Sequence, residues 1–108
     1  MEELNFNDAI ERSLKIRERY HQLELQHHGS HWTVEEDALA FLTDAGLVWR
    51  LTMSQQGRWP SGKGAQEELE HKLGESMWWL IVLAKRMDID IREVLDQFVT
   101  KTENLVGK

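Results

Sequence analysis

One stretch constrains the fold more than any other. From Met77 to Ala84 the chain reads MWWLIVLA, an unbroken apolar run. It lies inside a longer segment, about Ala65 to Met87, where Leu69, Leu73, Met77, Leu80, Ala84 and Met87 recur every three or four positions. That period is helical, and a helix apolar on every side must be covered on every side. The run is far short of the ~20 residues that cross a bilayer, so its cover has to be protein. A chain of 108 residues supports one domain, and folding at this size buries about 65% of the unfolded surface. The sequence therefore predicts an all-α bundle of four to five helices. It is a single domain over residues 1–108, completed by self-association as a homodimer or homotetramer.

The remaining segments fit that plan. A single proline and seven glycines leave room for long helices. The first runs from about Asn7 to Leu25, with Asn5 or Asn7 as cap and Ile10, Leu14, Arg17, Tyr20 and Leu23 along one stripe. Arg12, Lys15, Arg17 and Arg19 interleave with Glu11 and Glu18, which reads as a solvated face with i,i+4 pairs. A turn, His27 to His31, follows. Thr33-Val34-Glu35-Glu36 has the spacing of a capping box and opens a second helix. That helix is apolar on most of its circumference, through Ala38, Leu39, Phe41, Leu42, Ala45, Leu47, Val48 and Leu51. Ser54 to Gly64 is the one long loop. Asp90-Ile91-Arg92-Glu93 has capping-box spacing again and opens the last helix, whose expected buried stripe is Ile91, Val94, Leu95, Phe98, Thr102 and Leu105. The short connector before it implies that the last two helices are antiparallel neighbours.

Charge and composition narrow the function. A net charge of −6 repels phosphate backbones and disfavours general nucleic-acid binding. No cysteine is present, which excludes disulfides, thiolate metal sites and a cysteine nucleophile. The acidic N-terminus has no continuous apolar stretch, so a secretory leader and a membrane location are not expected, and the expected location is cytoplasmic. No G-x-S-x-G, GKS/T, H-E-x-x-H or dinucleotide fingerprint occurs.

Asp44 is the most informative residue. Its helical neighbours Ala40, Phe41, Leu47 and Val48 are all apolar, and a carboxylate there needs a cation, a metal or hydrogen bonds. It either serves a site or pairs with a basic residue at the stripe's edge. On the third helix Glu75 stands where the polar half becomes apolar, with Glu68, His71 and Lys72 on the same side. Carboxylates from two packed helices can hold a hard divalent cation. Glu67, Glu68 and Glu70 read more simply as an acidic first turn that complements the helix dipole. His21, His27, His28 and His31 could bind a transition metal, but no helical i,i+4 pair with a nearby acid stands out, and they read more simply as a solvated turn. Trp59, between Arg58 and Lys63 in the long loop, either stacks a base beside phosphate or anchors the loop on the core.

These residues together resemble a family. The segment ELEHKLGESMWWLIVLAKRMDIDIREVL and the helix before it are similar to the MazG-like, all-α nucleoside triphosphate pyrophosphohydrolases. Asp44-Ala45-Gly46-Leu47 falls on that family's E-x-G-E-L pattern. Lys72-Leu73-Gly74-Glu75 falls on E-E-L-x-D, Trp78 to Ala84 on its apolar stretch, and Asp88-Ile89-Asp90-Ile91 on the start of its last helix. The similarity covers about Trp32 to Leu105, leaving residues 1–31 as an N-terminal helix and turn. It implies a helical bundle that dimerises or forms dimers of dimers and holds Mg²⁺, or Mn²⁺, through four acids. The implied reaction is hydrolysis of a (d)NTP to a (d)NMP and pyrophosphate. Carried over residue by residue, Asp44 and Glu75 are the metal ligands, with Glu68 and His71 a makeshift addition. Lys72 would contact phosphate, and Trp59 and Lys63 would cover the nucleotide. Leu47 and Lys72 stand where the family has its other two acids. A leucine offers no oxygen. The lysine either contacts substrate or supplies the positive charge itself, which would leave an inactive oligomeric scaffold or nucleotide sensor.

Overall fold

The computed structural model describes residues 3–60 and 62–107. These form four helices, α1 (Phe6–His28), α2 (Val34–Gln55), α3 (Ala65–Arg86) and α4 (Ile91–Leu105). No strand occurs among the described residues. None of the helices is long and apolar enough to cross a membrane.

Local signals set the boundaries. Asn5 Oδ1 accepts from the Asp8 amide at 2.8 Å, satisfying one of the donors left open at a helix start. The first helix runs three residues beyond the expected Leu25, until Gly29 takes a left-handed conformation (φ 75°) and its amide donates to Leu25 O. At α2 the capping box forms on both sides. Thr33 Oγ1 accepts from the Glu36 amide at 3.1 Å, and Glu36 Oε1 accepts from the Thr33 amide at 2.8 Å. Asp90 caps α4 through the Arg92 and Glu93 amides. The expected reciprocal bond is not made there, because Glu93 Oε1 accepts from Gln97 instead. Between α3 and α4 the Ile89 amide donates to Ala84 O at 2.8 Å and the Asp88 amide to Lys85 O at 3.1 Å. That is a Schellman turn with Asp88 at φ 59°, where glycine is the usual residue.

The antiparallel pair α2–α3 is the centre of the molecule, with α1 against α3; α4 meets α3 near their shared turn and α1 through Arg92 Nη1, which donates to Asn7 Oδ1 at 2.6 Å. The core is small: Leu51, Leu69, Trp79, Ile81, Val82, Leu83 and Ala84. The apolar run of α3 is covered all round only in its second half, where Ile81 to Ala84 are buried, whereas Met77 is 65% exposed and Leu80 45%. The stripe expected to be buried on α4 is not buried in the single chain. Phe98 is 65% exposed and Leu105 75%, and no residue of α4 is buried. A 15-residue helix that meets its neighbour only near their shared turn has nothing to bury that stripe against. The dimensions agree. The radius of gyration is 16.6 Å, against about 13 Å for a compact domain of this length. The accessible surface is 8550 Å², against about 6200 Å² for a folded monomer of this mass.

Candidate functional site

Asp44 sits in the middle of α2, facing α3, and is 8% exposed. Two groups of α3 bond to it, and a third, Glu75, joins through the first of them. Lys72 Nζ donates to Asp44 Oδ1 at 3.1 Å and to Glu75 Oε1 at 2.9 Å. Trp79 Nε1 donates to Asp44 Oδ2 at 2.9 Å. The spacing of 72, 75 and 79 puts all three on one helical face, so the local geometry follows from the sequence once α2 and α3 are packed. The two carboxylates therefore converge, and the positive charge between them is the protein's own ammonium. Hydrogen bonds from Lys72 to Glu75 and then to Asp44 outweigh the cost of burial and raise the ammonium pKa above the ordinary lysine value. The ammonium is charged throughout the neutral range.

A second charged cluster lies beyond Trp79. Asp37, at the start of α2, is fully buried. Arg17 of α1 reaches it with Nη2 to Oδ1 at 2.8 Å, and Arg86 of α3 with Nη1 to Oδ2 at 2.8 Å. Arg86 also donates to Trp32 O at 2.9 Å. Arg17 Nη1 binds Glu24 Oε2 at 2.7 Å, and the other Glu24 oxygen accepts from the Trp32 amide at 2.9 Å. Burial pushes the Glu24 pKa up, but the Arg17 and Trp32 hydrogen bonds prevail and hold it below the usual carboxylate value. This network ties three helices and the α1–α2 linker together. It corrects the expectation for Arg17, which belongs to a buried ion pair and not to a solvated face. Trp79 joins the two clusters, because the Arg17 guanidinium carbon lies 5.8 Å from its ring centre.

Cavities open on both sides of Glu75 and Trp79. One, of about 730 Å³, is bounded by Tyr20, Glu24, Trp32, His71 and Trp78 as well. The other, of about 450 Å³, is bounded by Leu39, Thr43 and Asp44. Trp78 lines the larger cavity and ties it to α1, with Nε1 donating to Ser13 O at 3.1 Å.

The other residues expected at the site are placed differently. His71 Nε2 is 3.7 Å from Glu75 Oε1, on a side chain that is 73% exposed. Glu68 is exposed, one turn before Lys72. Trp59 stacks on Arg50, with the guanidinium carbon 4.5 Å from the ring centre, so it anchors the long loop to the end of α2. Neither Trp59 nor Lys63 lines the cavities beside Asp44. Leu47 is 36% exposed and contributes no oxygen.

The donor set does not fit a magnesium ion. Mg²⁺ requires a near-octahedral shell of oxygens, and an ammonium already bridges the two carboxylates. What sequence reasoning missed is the Arg17–Asp37–Arg86 network. Its only signal was an arginine within the apolar stripe of α1. No protein-family model, curated protein or solved structure matches the chain.

Proposed function

We propose that the chain is a MazG-like helical protein in which Lys72 replaces the metal, acting as a non-catalytic oligomeric scaffold and not as a pyrophosphohydrolase. One observation carries this reading: the Lys72 ammonium lies within 3.1 Å of Asp44 and 2.9 Å of Glu75. An internal cation neutralises the acids without recruiting Mg²⁺, and hydrolysis of a triphosphate then lacks its main source of charge neutralisation.

The exposed surface of the single chain supports the scaffold half of the reading. The surface in excess of a compact monomer's is about 2300 Å², of the size that obligate interfaces remove from water. Exposed apolar side chains on α2 (Leu39, Leu42, Trp49), on α3 (Met77, Leu80) and on α4 (Val94, Leu95, Phe98) contribute to it. A second copy of the same chain offers the matching apolar face through a two-fold axis. Sedimentation at micromolar concentration is expected to give a dimer or tetramer, and a stable monomer would remove this half of the proposal.

A second reading is favoured by the convergence of Asp44 and Glu75 beside a cavity. It is metal-dependent hydrolysis of a (d)NTP to a (d)NMP and pyrophosphate, with Lys72 turned to phosphate. Pyrophosphate release from a panel of (d)NTPs with Mg²⁺ or Mn²⁺ separates the two. The first reading expects no release above background. Release that needs metal and disappears in Glu75→Ala would establish the second.

A further inference from the structure

The turn after α1 gathers a set of metal-binding side chains, of which Glu24 is held by the arginine network while His21 and His31 take no part in it or in the acid pair. His21 and Glu24 lie one turn apart on the last part of α1. Gly29 then reverses the chain in its left-handed conformation and brings His31 back over them, with the two imidazole rings 4.6 Å apart. One ligand atom from each of His21, Glu24 and His31 lies within 4.8 Å of the others. His21 Nε2 is buried and has no hydrogen-bond partner. An unsatisfied buried nitrogen is costly, and few groups could satisfy this one, because its neighbours Arg17 and Arg86 are committed to Asp37 and Glu24.

We propose that His21, Glu24 and His31 form a binding site for a borderline transition-metal ion of the Zn²⁺ class, closing the α1–α2 linker onto the end of α1. This is independent of the function proposed above. Two imidazoles and a carboxylate are the ligand types that zinc, nickel and cobalt prefer, whereas Mg²⁺ prefers oxygen alone. Three protein ligands leave a fourth position for water. In a tetrahedral site the ligand atoms stand about 3.4 Å apart. His31 is exposed and on the linker, so rotation of its ring can close the distance. Glu24 is held from behind by Arg17 at 2.7 Å and by the Trp32 amide at 2.9 Å. Such outer contacts orient a ligating carboxylate, and each oxygen retains a lone pair.

The test uses the tag-free full chain titrated with Co²⁺, read by its visible d–d bands, and with Zn²⁺, read by calorimetry and by thermal shift. One ion per chain is expected, with a rise in Tm. His31→Ala removes an exposed ligand, so the metal-free fold should keep its circular dichroism and Tm. Its affinity should fall about tenfold or more. The double variant His27→Ala/His28→Ala should bind like the wild type. Absence of saturable binding would overturn the proposal. So would undiminished binding by His31→Ala, or loss of binding in the His27/His28 variant alone.

Discussion

Replacing Lys72 by methionine isolates the charge at the centre of the molecule. Methionine keeps most of the aliphatic stem that lies along α3 and removes only the ammonium. Asp44 is then left with one donor, the Trp79 indole, and two carboxylates face each other with no cation between them. Losing one partner of a fully buried ion pair costs about 3–5 kcal/mol, while an exposed pair is worth about 0–1. Here the side chains of Asp44, Lys72 and Glu75 are 11%, 19% and 29% exposed, and Asp44 retains its indole bond. We therefore expect a loss of about 2 kcal/mol at pH 7, or about 10 °C in Tm. Urea denaturation followed by tryptophan fluorescence measures it, at one fixed protein concentration. The sign with pH is also set. A pKa raised on folding gives stability that is fully present below the unfolded lysine value of about 10.4 and lost as pH climbs through the higher folded value. Wild type should lose this stability in alkali, and Lys72→Met should lack that part of the decline. Asp44→Asn on the Lys72→Met background should recover part of the loss at pH 7. A variant as stable as wild type at pH 7 would refute the reasoning.

Other consequences are simpler. Arg17→Met leaves the fully buried Asp37 with Arg86 alone and should cost about 3 kcal/mol, again by urea denaturation; a cost below about 1 would mean that Arg86 suffices. The depressed Glu24 pKa contributes stability that is present above the unfolded glutamate value of about 4.3 and lost as pH falls through the folded one, and Glu24→Gln should flatten that part of an acid stability profile. Asp88→Gly relieves a left-handed residue at the α3–α4 turn and should raise stability by about 0.5 kcal/mol.

How far the sequence reached depends on the range of the interactions. Thr33 and Glu36 are three residues apart, so their mutual capping was readable, as was the period that put Asp44 on the face of α2 turned toward α3. The rival role of Lys72 was also readable, because Lys72 and Glu75 share a helix face and need only a partner opposite. The Asp37 network was not. It joins residues 17, 37 and 86, which meet only after α1 and α3 have both docked on the start of α2. The histidine cluster depends on one backbone reversal at Gly29, a conformation that leaves no mark on the spacing of His21 and His31. The stripe of α4 was read correctly as apolar, but its burial was misassigned within the chain, since periodicity reveals a sticky face and not what covers it.

The most direct measurement asks whether the acid pair accepts an external cation. Free Mn²⁺ can be followed by electron paramagnetic resonance during titration of wild type, Asp44→Asn and Lys72→Glu. If Lys72 takes the place of the metal, wild type and Asp44→Asn should bind Mn²⁺ equally weakly, and Lys72→Glu, which supplies a third acid, should gain a site. Tight binding by wild type that Asp44→Asn abolishes would contradict the account.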